Sequence, residues 1–191
     1  MLVSGLLFVA LLVVGAVYLI RIYNGLVALR ENVRKAWANI EVLLTQRHDE
    51  LPKLVETCKQ YMKFEQDTLA RVMEARSRVS TAREAQNIPQ LGQAEGALRA
   101  TLGNLFALAE AYPDLKTNQT FQQLQTRISG LENAIADRRE FYNESVNVNN
   151  IRIEQFPDTI VAGMFGFKAA QLLEFQAEEK ADVDVGKLFQ S

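Results

Sequence analysis

The stretch LVSGLLFVALLVVGAVYLI, residues 2–20, carries no charge and ends at Arg21. As a helix rising about 1.5 Å per residue, it matches the roughly 30 Å hydrocarbon core of a bilayer. A helix of a soluble bundle has a polar face, but this run does not. Its only interruptions are Ser4, Gly5, Gly15 and Tyr18. The run therefore predicts a transmembrane anchor over residues 1–21.

A cleaved signal peptide is the alternative interpretation of residues 2–20. Signal peptides begin with a positive region, which this chain lacks, and their apolar part is about 7–15 residues long. The run here is longer, and Gly15-Ala16-Val17 inside it is a poor cleavage site. We therefore favour a retained anchor.

Basic residues follow the span closely, and no basic side chain precedes it. They are Arg21, Arg30, Arg34 and Lys35. The positive-inside rule then places the rest of the chain in the cytoplasm, as a single-pass protein of the cytoplasmic (inner) membrane. The same four side chains are candidate contacts for anionic lipid headgroups, although setting the topology is the simpler role.

Composition narrows the function classes. The chain has 191 residues and a net charge of −2, with basic and acidic residues interleaved, so nothing in it favours nucleic acid. About 170 residues follow the anchor, which suits one domain with a sizeable core. The single cysteine, Cys58, cannot form an intramolecular disulfide, and its apolar neighbours suggest a packed, inert thiol.

Apolar residues recur at three- and four-residue steps through residues 22–155, which predicts an all-α fold. We expect an antiparallel bundle of three to four long amphipathic segments. Pro52 either kinks the first segment or lies in the first turn of a new one, with Asp49 as its N-cap. A connection at 86–90 precedes a helix opened by Pro89. The first stripe includes Val33, Trp37, Ile40 and Leu44, and the last includes Leu124, Ile128, Leu131, Ile135, Phe141 and Val146.

Residues 156–191 differ in character from the bundle. The first part is rich in phenylalanine and glycine, and the end, 178–191, is polar and predicted to be loose. The apolar part either caps the bundle or contacts another protomer or the membrane interface. Its candidate contact residues are Phe156, Ile160, Met164, Phe165 and Phe167.

Two Tyr-Asn pairs are candidates for a polar layer inside the bundle. In an up-down bundle the end of the last helix returns beside the start of the first, which would bring Tyr23-Asn24 and Tyr142-Asn143 together. Buried asparagine specifies register, and tyrosine buries its ring while its hydroxyl finds a partner. The alternative is that both pairs line the wet rim near the headgroups.

Several of these stretches resemble the LemA family of bacterial membrane proteins, over nearly the whole chain. The specific motifs are the run Arg30, Val33, Ala36 and Trp37; the Tyr112–Lys116 stretch YPDLK; Arg138 with Tyr142-Asn143; and Phe156-Pro157. The resemblance implies an N-terminal anchor followed by an antiparallel helical bundle. It also implies no established catalytic residue and a link, in one branch, to magnetosome membrane organelles. The family often has a second Tyr-Asn pair where this chain has Asn149-Asn150, so no role for a second tyrosine carries over.

We find no pattern for a catalytic, cofactor-binding or metal site. His48 is the only histidine, and consecutive helical residues such as Asp49 and Glu50 cannot close a metal site with it. Cys58 lies nearly three turns from His48, too far for a nucleophilic pair. The helical glutamates lack the Glu-x-x-His partners of a di-metal bundle. We therefore expect no enzyme activity and no cofactor.

The sequence favours a membrane-anchored scaffold that assembles with copies of itself at the membrane surface. Its expected partners are membrane lipids and a homo-oligomer, because the Phe156–Phe167 segment offers apolar surface that a neighbouring copy can bury. The alternative is a membrane-tethered sensor or adaptor that binds a small ligand or signalling partner in the bundle.

Overall fold

A computed structural model describes residues 2–175, which form helices and contain no strand. The predicted all-α bundle is confirmed. Its elements are α1 (Leu2–Tyr61), α2 (Gln66–Glu84), α3 (Ile88–Ala109), α4 (Pro113–Lys116), α5 (Gln119–Glu154) and α6 (Asp158–Phe165). The tail predicted at 178–191 lies outside the described residues.

The described chain divides into two compact units. The first contains residues 2–40 with Arg138–Gln171, and the second contains Glu41–Asp137 with residues 172–175. The first unit is built from the start of α1, the end of α5, and α6. The second holds the end of α1, α2, α3, α4 and the start of α5.

The first helix continues through Pro52, so the chain does not reverse there. Helix α1 ends at Tyr61, and the turn occupies residues 62–65. Leu44, Leu51 and Leu54, on both sides of the proline, are buried in one stripe. Packing of this stripe outweighs the hydrogen bond that proline cannot donate. Asp49 is therefore an exposed residue within the helix rather than an N-cap.

The predicted helix opening at Pro89 is confirmed. Helix α3 has its N-cap at Asn87, whose side chain accepts a hydrogen bond from the Gln90 N–H at 3.1 Å, and Pro89 lies in the first turn. Helix α5 begins in the same way, with Asn118 accepting from the Phe121 N–H at 3.0 Å. Asparagine satisfies the free N–H groups at both helix starts.

Two aromatic residues lie outside the stripes predicted for them. Phe141 is 55% exposed, whereas Tyr142 is buried. Seven residues separate Ile135 from Tyr142, close to two helical turns, so Tyr142 continues the buried stripe and Phe141 points away from it. In α1 the stripe passes through Ala36, and Trp37 is half-buried with its ring 5.5 Å from that of Tyr142.

Candidate functional site

The exposed apolar surface of the first unit begins at the N-terminal part of α1. Every side chain from position 3 to position 21 is exposed, and Ile22 is the first buried residue. This stretch is long and apolar enough to cross a membrane, and none of it is buried within the protein. It is therefore not the core helix of a soluble domain. Arg21 marks the boundary between span and packed protein.

Helix α6 packs directly beyond that boundary. Its residues Val161 and Ala162 form a small core with Ile22 and Leu26 of α1, joined by Phe167 at the edge. Gly166 ends the helix in the left-handed region, at φ 69°, which favours glycine. The Phe167 N–H then donates to the Ala162 carbonyl at 2.9 Å.

Tyr23 connects α1 to the end of α6 through aromatic contacts. Its ring centroid lies 4.8 Å from that of Phe165 and 5.8 Å from that of Phe167. The Arg30 guanidinium lies over the Phe167 ring, 5.3 Å from its centroid. These contacts fix the C-terminal end of α6 against the first turns that follow the span.

The opposite side of α6 is apolar and exposed. Four of the five predicted contact residues are between 53% and 81% exposed, namely Phe156, Ile160, Met164 and Phe165. The fifth, Phe167, packs inward. A groove of about 280 Å³ runs between the helices and is lined only by apolar surface, from Leu19, Ile20, Tyr23, Val161, Met164 and Phe165.

The predicted basic residues lie at different levels. Arg21 is exposed at the end of the span, whereas Arg34 follows it by 13 residues, or about 20 Å of helix. The headgroup layer is only about 6 Å deep, so Arg34 and Lys35 lie beyond it if α1 runs along the membrane normal. Arg34 also pairs with Glu31 at 3.3 Å. Arg30, nine residues or about 14 Å beyond Arg21, lies over the Phe167 ring, so Arg21 is the remaining direct headgroup candidate.

The predicted polar layer between the two Tyr-Asn pairs is wrong. Tyr142 packs on Trp37, which follows Tyr23 by 14 residues, or about 20 Å along α1. The two pairs are therefore at different levels. Asn24 is exposed and Tyr23 contacts α6, while the buried Tyr142 hydroxyl donates to the Gln171 carbonyl at 2.9 Å. Burial raises the pKa of Tyr142.

A polar contact does form at Asn149-Asn150. The Asn150 side chain accepts from the Ala170 N–H and donates to the Ala170 carbonyl, both at 2.9 Å. Asn149 is buried and donates to the Asn150 side chain at 3.2 Å. Together with Tyr142, these residues hold segment 167–171, which has no regular secondary structure, along α5.

The second unit contains a buried ionic cluster that sequence reasoning missed. Arg47 of α1 and Glu95 of α3 are 1% and 2% exposed. One guanidinium nitrogen donates to both Glu95 oxygens, at 2.6 and 2.7 Å, and another donates to Glu132 of α5 at 2.7 Å. The cluster thus joins three helices around one guanidinium.

Two carboxylates face a single cation in this cluster. Burial by itself would lower the pKa of Arg47, but Glu95 and Glu132 raise it above the ordinary value, so the guanidinium stays charged. Burial raises the pKa of Glu95, and the nearby arginine opposes this rise. The cluster ties α1, α3 and α5 together at the cost of desolvating three charged groups.

His48 and Cys58 are two further titratable residues of the second unit whose pKa values are shifted. His48 lies within α1, not at a junction, and burial together with the charge of Arg76 lowers its pKa. Burial raises the pKa of the Cys58 thiol to about 12, so it is inert. Within residues 2–175 no cluster of histidine, cysteine and carboxylate residues has the arrangement of a metal site.

A surface groove lies between α2 and α3. It has a volume of about 610 Å³, and its lining includes Glu74, Arg78 and Gln93. Arg78 is paired with Glu74 at 2.6 Å. The groove therefore offers amide and hydroxyl groups beside one exposed ion pair.

The helical fold and the exposed N-terminal span define a membrane-anchored helical protein. The sequence model of the LemA family matches residues 36–186. The chain belongs to the LemA family, which confirms the resemblance described above.

Relatives in three organisms are similar to most of the chain. Magnetosome protein MamQ 2 of Paramagnetospirillum magneticum is 26% identical, over 88% of this chain and 70% of its own length. Magnetosome protein MamQ of Magnetospirillum gryphiswaldense is 23% identical over the same shares. Protein LemA of Metamycoplasma hominis is 26% identical over 93% of this chain and 81% of its own length.

Proposed function

We propose that this protein is a scaffold of the bacterial cytoplasmic membrane, anchored by one helix and assembled from copies of itself. The observation that carries the proposal is an apolar row on α5. Phe141, Val148 and Ile151 are 42–56% exposed and are spaced by seven and three residues, so they share one face of the helix. The proposal assigns no reaction to the protein.

Lipid cannot cover the whole of this row. Tyr142, next to Phe141, packs on Trp37, which is 16 residues beyond Arg21. That distance is about 24 Å of helix, whereas the headgroup layer ends about 6 Å beyond the hydrocarbon core. Phe141 therefore faces water in a single copy with α1 along the membrane normal, and another protein surface is the partner that can bury it.

A second copy of this chain fits this requirement. Two copies anchored in one membrane are related by an axis perpendicular to the bilayer, so their α5 helices run in the same direction. Residues near a two-fold axis then meet their own counterparts. The row thus pairs Val148 with Val148 of the second copy, in the manner of apolar positions in parallel helix pairs.

We expect Val148→Cys to form a disulfide between two copies when the full-length protein is oxidised in native membranes. The neighbouring, exposed Asn147→Cys is the matched control, because it points about 100° away on the same turn. Native Cys58 is buried and gives no background. Electrophoresis without reductant measures the linked species. Equal cross-linking at positions 147 and 148, or none at either, would contradict assembly through the row.

The cytoplasmic side is part of the proposal and rests on the basic residues that follow the span. Phe64, in the turn after α1, is 96% exposed, so a cysteine there is accessible wherever the turn lies. We expect Phe64→Cys to resist a membrane-impermeant thiol reagent in spheroplasts and to react after lysis. Labelling before lysis would place the helical part on the outer side.

A further inference from the structure

We propose that α6 is a second membrane-embedded element and that a phospholipid acyl chain lies in the groove between α6 and the last turn of the span. This goes beyond the scaffold role, since it assigns a lipid site to a surface on which self-assembly does not depend. It holds for either orientation of the protein.

The depth of α6 follows from its contacts with α1. The groove is lined on one side by Leu19 and Ile20, which belong to the uncharged span, and on the other by Met164 and Phe165. If residues 2–20 cross the bilayer, Leu19 and Ile20 lie within its hydrocarbon edge. The C-terminal end of α6 must then lie at the same level, because it contacts the same turn.

The exposed side of α6 suits that position. Ile160 and Met164 are four residues apart on α6 and are exposed, whereas Val161 and Ala162 face the core. Phe156, just before the helix, is exposed as well. The only charged residue of α6, Asp158, is buried and paired with Arg152 at 3.1 Å. No charge on α6 therefore opposes insertion, and an apolar helix face beside a span is typical of interfacial helices.

The residues around the groove complete an interface. The Tyr23 ring of α1 packs against the rings of Phe165 and Phe167. It lies just beyond the span, at the level where aromatic side chains concentrate in membrane proteins. Arg21 is exposed directly after the groove residues Leu19 and Ile20 and can reach a lipid phosphate. An acyl chain in the groove would thus have its headgroup beside a cation.

Lipid is a better occupant than a second protein copy for this groove. Its walls are entirely apolar, and it is continuous with the surface of the span, which is already covered by acyl chains in the membrane. A protein segment there would have to satisfy its backbone polar groups within hydrocarbon, whereas an acyl chain has none.

The test uses the full-length protein in vesicles of phosphatidylethanolamine and phosphatidylglycerol. A fluorophore is attached at Met164→Cys, which reports on the groove, or at Ile160→Cys, which reports on the exposed row. Part of the lipid carries a nitroxide on its acyl chain near the carbonyl end. We expect both labels to lose most of their fluorescence. The positive control is a label at Val14→Cys in the span, which we expect to be quenched by a nitroxide placed deeper in the acyl chain.

Asn39→Cys is the matched control, because its side chain is exposed and 18 residues, or about 27 Å of helix, separate it from Arg21. We expect its fluorescence to stay nearly unchanged. If the labels at positions 160 and 164 are quenched no more than the label at position 39, α6 is outside the membrane and the proposal is wrong. Quenching at position 160 alone would leave α6 inserted but would exclude an acyl chain from the groove. Neither result bears on cross-linking through Val148, which tests the scaffold.

Discussion

Arg47→Met is expected to lower the free energy of unfolding by about 3–5 kcal/mol, because it leaves two carboxylates without their buried cation. Glu95 accepts two hydrogen bonds from the guanidinium and is 2% exposed, so water cannot replace the lost donor. Urea titration of the full-length protein in mild detergent, followed by far-ultraviolet circular dichroism, measures the change. Equal stability of variant and native protein would show that the cluster is not closed to water.

The loss of unfolding free energy in Arg47→Met is expected to depend on pH. Burial already raises the pKa of Glu95, and removal of the cation that opposes this rise moves it higher in the folded variant. A folded-state pKa above the unfolded value stabilises the fold at low pH, and this contribution is lost as pH rises through the folded pKa. The variant should therefore lose less stability in weak acid than at neutral pH.

Arg78→Met is the control for removing a positive charge. Arg78 pairs with Glu74 across one turn of α2, and both side chains are more than half exposed. Exposed pairs of this kind contribute about 0.3–0.5 kcal/mol. A cost as large as that of Arg47→Met would indicate a general charge effect and not a buried cluster.

Gly92→Ala is expected to destabilise the second unit by about 1.5–3 kcal/mol, the amount that full burial of one leucine contributes. A Cβ atom at position 92 would overlap the backbone carbonyl oxygen of Glu174, which passes directly over α3. Relief of the overlap requires movement of the segment that buries Leu173. Thermal unfolding of the full-length protein measures the change.

Gly103→Ala in the same helix is the matched control. No atom lies within 4 Å of a Cβ atom built there, so the substitution meets open space. We expect a gain of up to about 1 kcal/mol, because alanine favours helix over glycine. If both substitutions stabilise the protein, the segment at Glu174 yields readily and does not hold Leu173 in place.

Much of the fold could be predicted from the sequence because its signals are local. The uncharged run before Arg21 indicates the span, and three- and four-residue spacing indicates the helices. The helix opening at Asn87-Ile88-Pro89 is likewise carried by capping chemistry within a few residues. Pro52 allowed either a kink or the start of a new helix, and the buried stripe that continues on both sides of it excludes the second.

The ionic cluster could not be derived in full because it depends on which helices meet. Arg47 falls between Leu44 and Leu51, and Glu95 between Leu91 and Leu98, so each charge interrupts an apolar stripe. That spacing marks both residues as buried. It does not say that they meet each other, and Glu132 becomes their partner only through the packing of a third helix.

The sequence and the structure direct attention to different surfaces for the proposed self-assembly. In the sequence, apolar residues are concentrated in Phe156–Phe167. The row on α5 is not apparent there, because Phe141 is assigned to the buried stripe in place of its neighbour Tyr142. Phe141 follows Ile135 by six residues, which places its side chain about 120° from the buried face of the helix. Aromatic residues next to each other, such as Phe141 and Tyr142, leave the choice of buried ring to the tertiary structure.

The Asn150 side chain forms hydrogen bonds with the backbone N–H and the backbone carbonyl of Ala170, the same two groups that pair neighbouring β-strands. Every residue except proline presents these two groups, so the attachment does not depend on which side chains the segment carries. The side chains around Ala170 are exposed, namely those of Lys168, Ala169 and Gln171. The segment can therefore change its surface chemistry freely during evolution while it remains fastened to α5 at the same position.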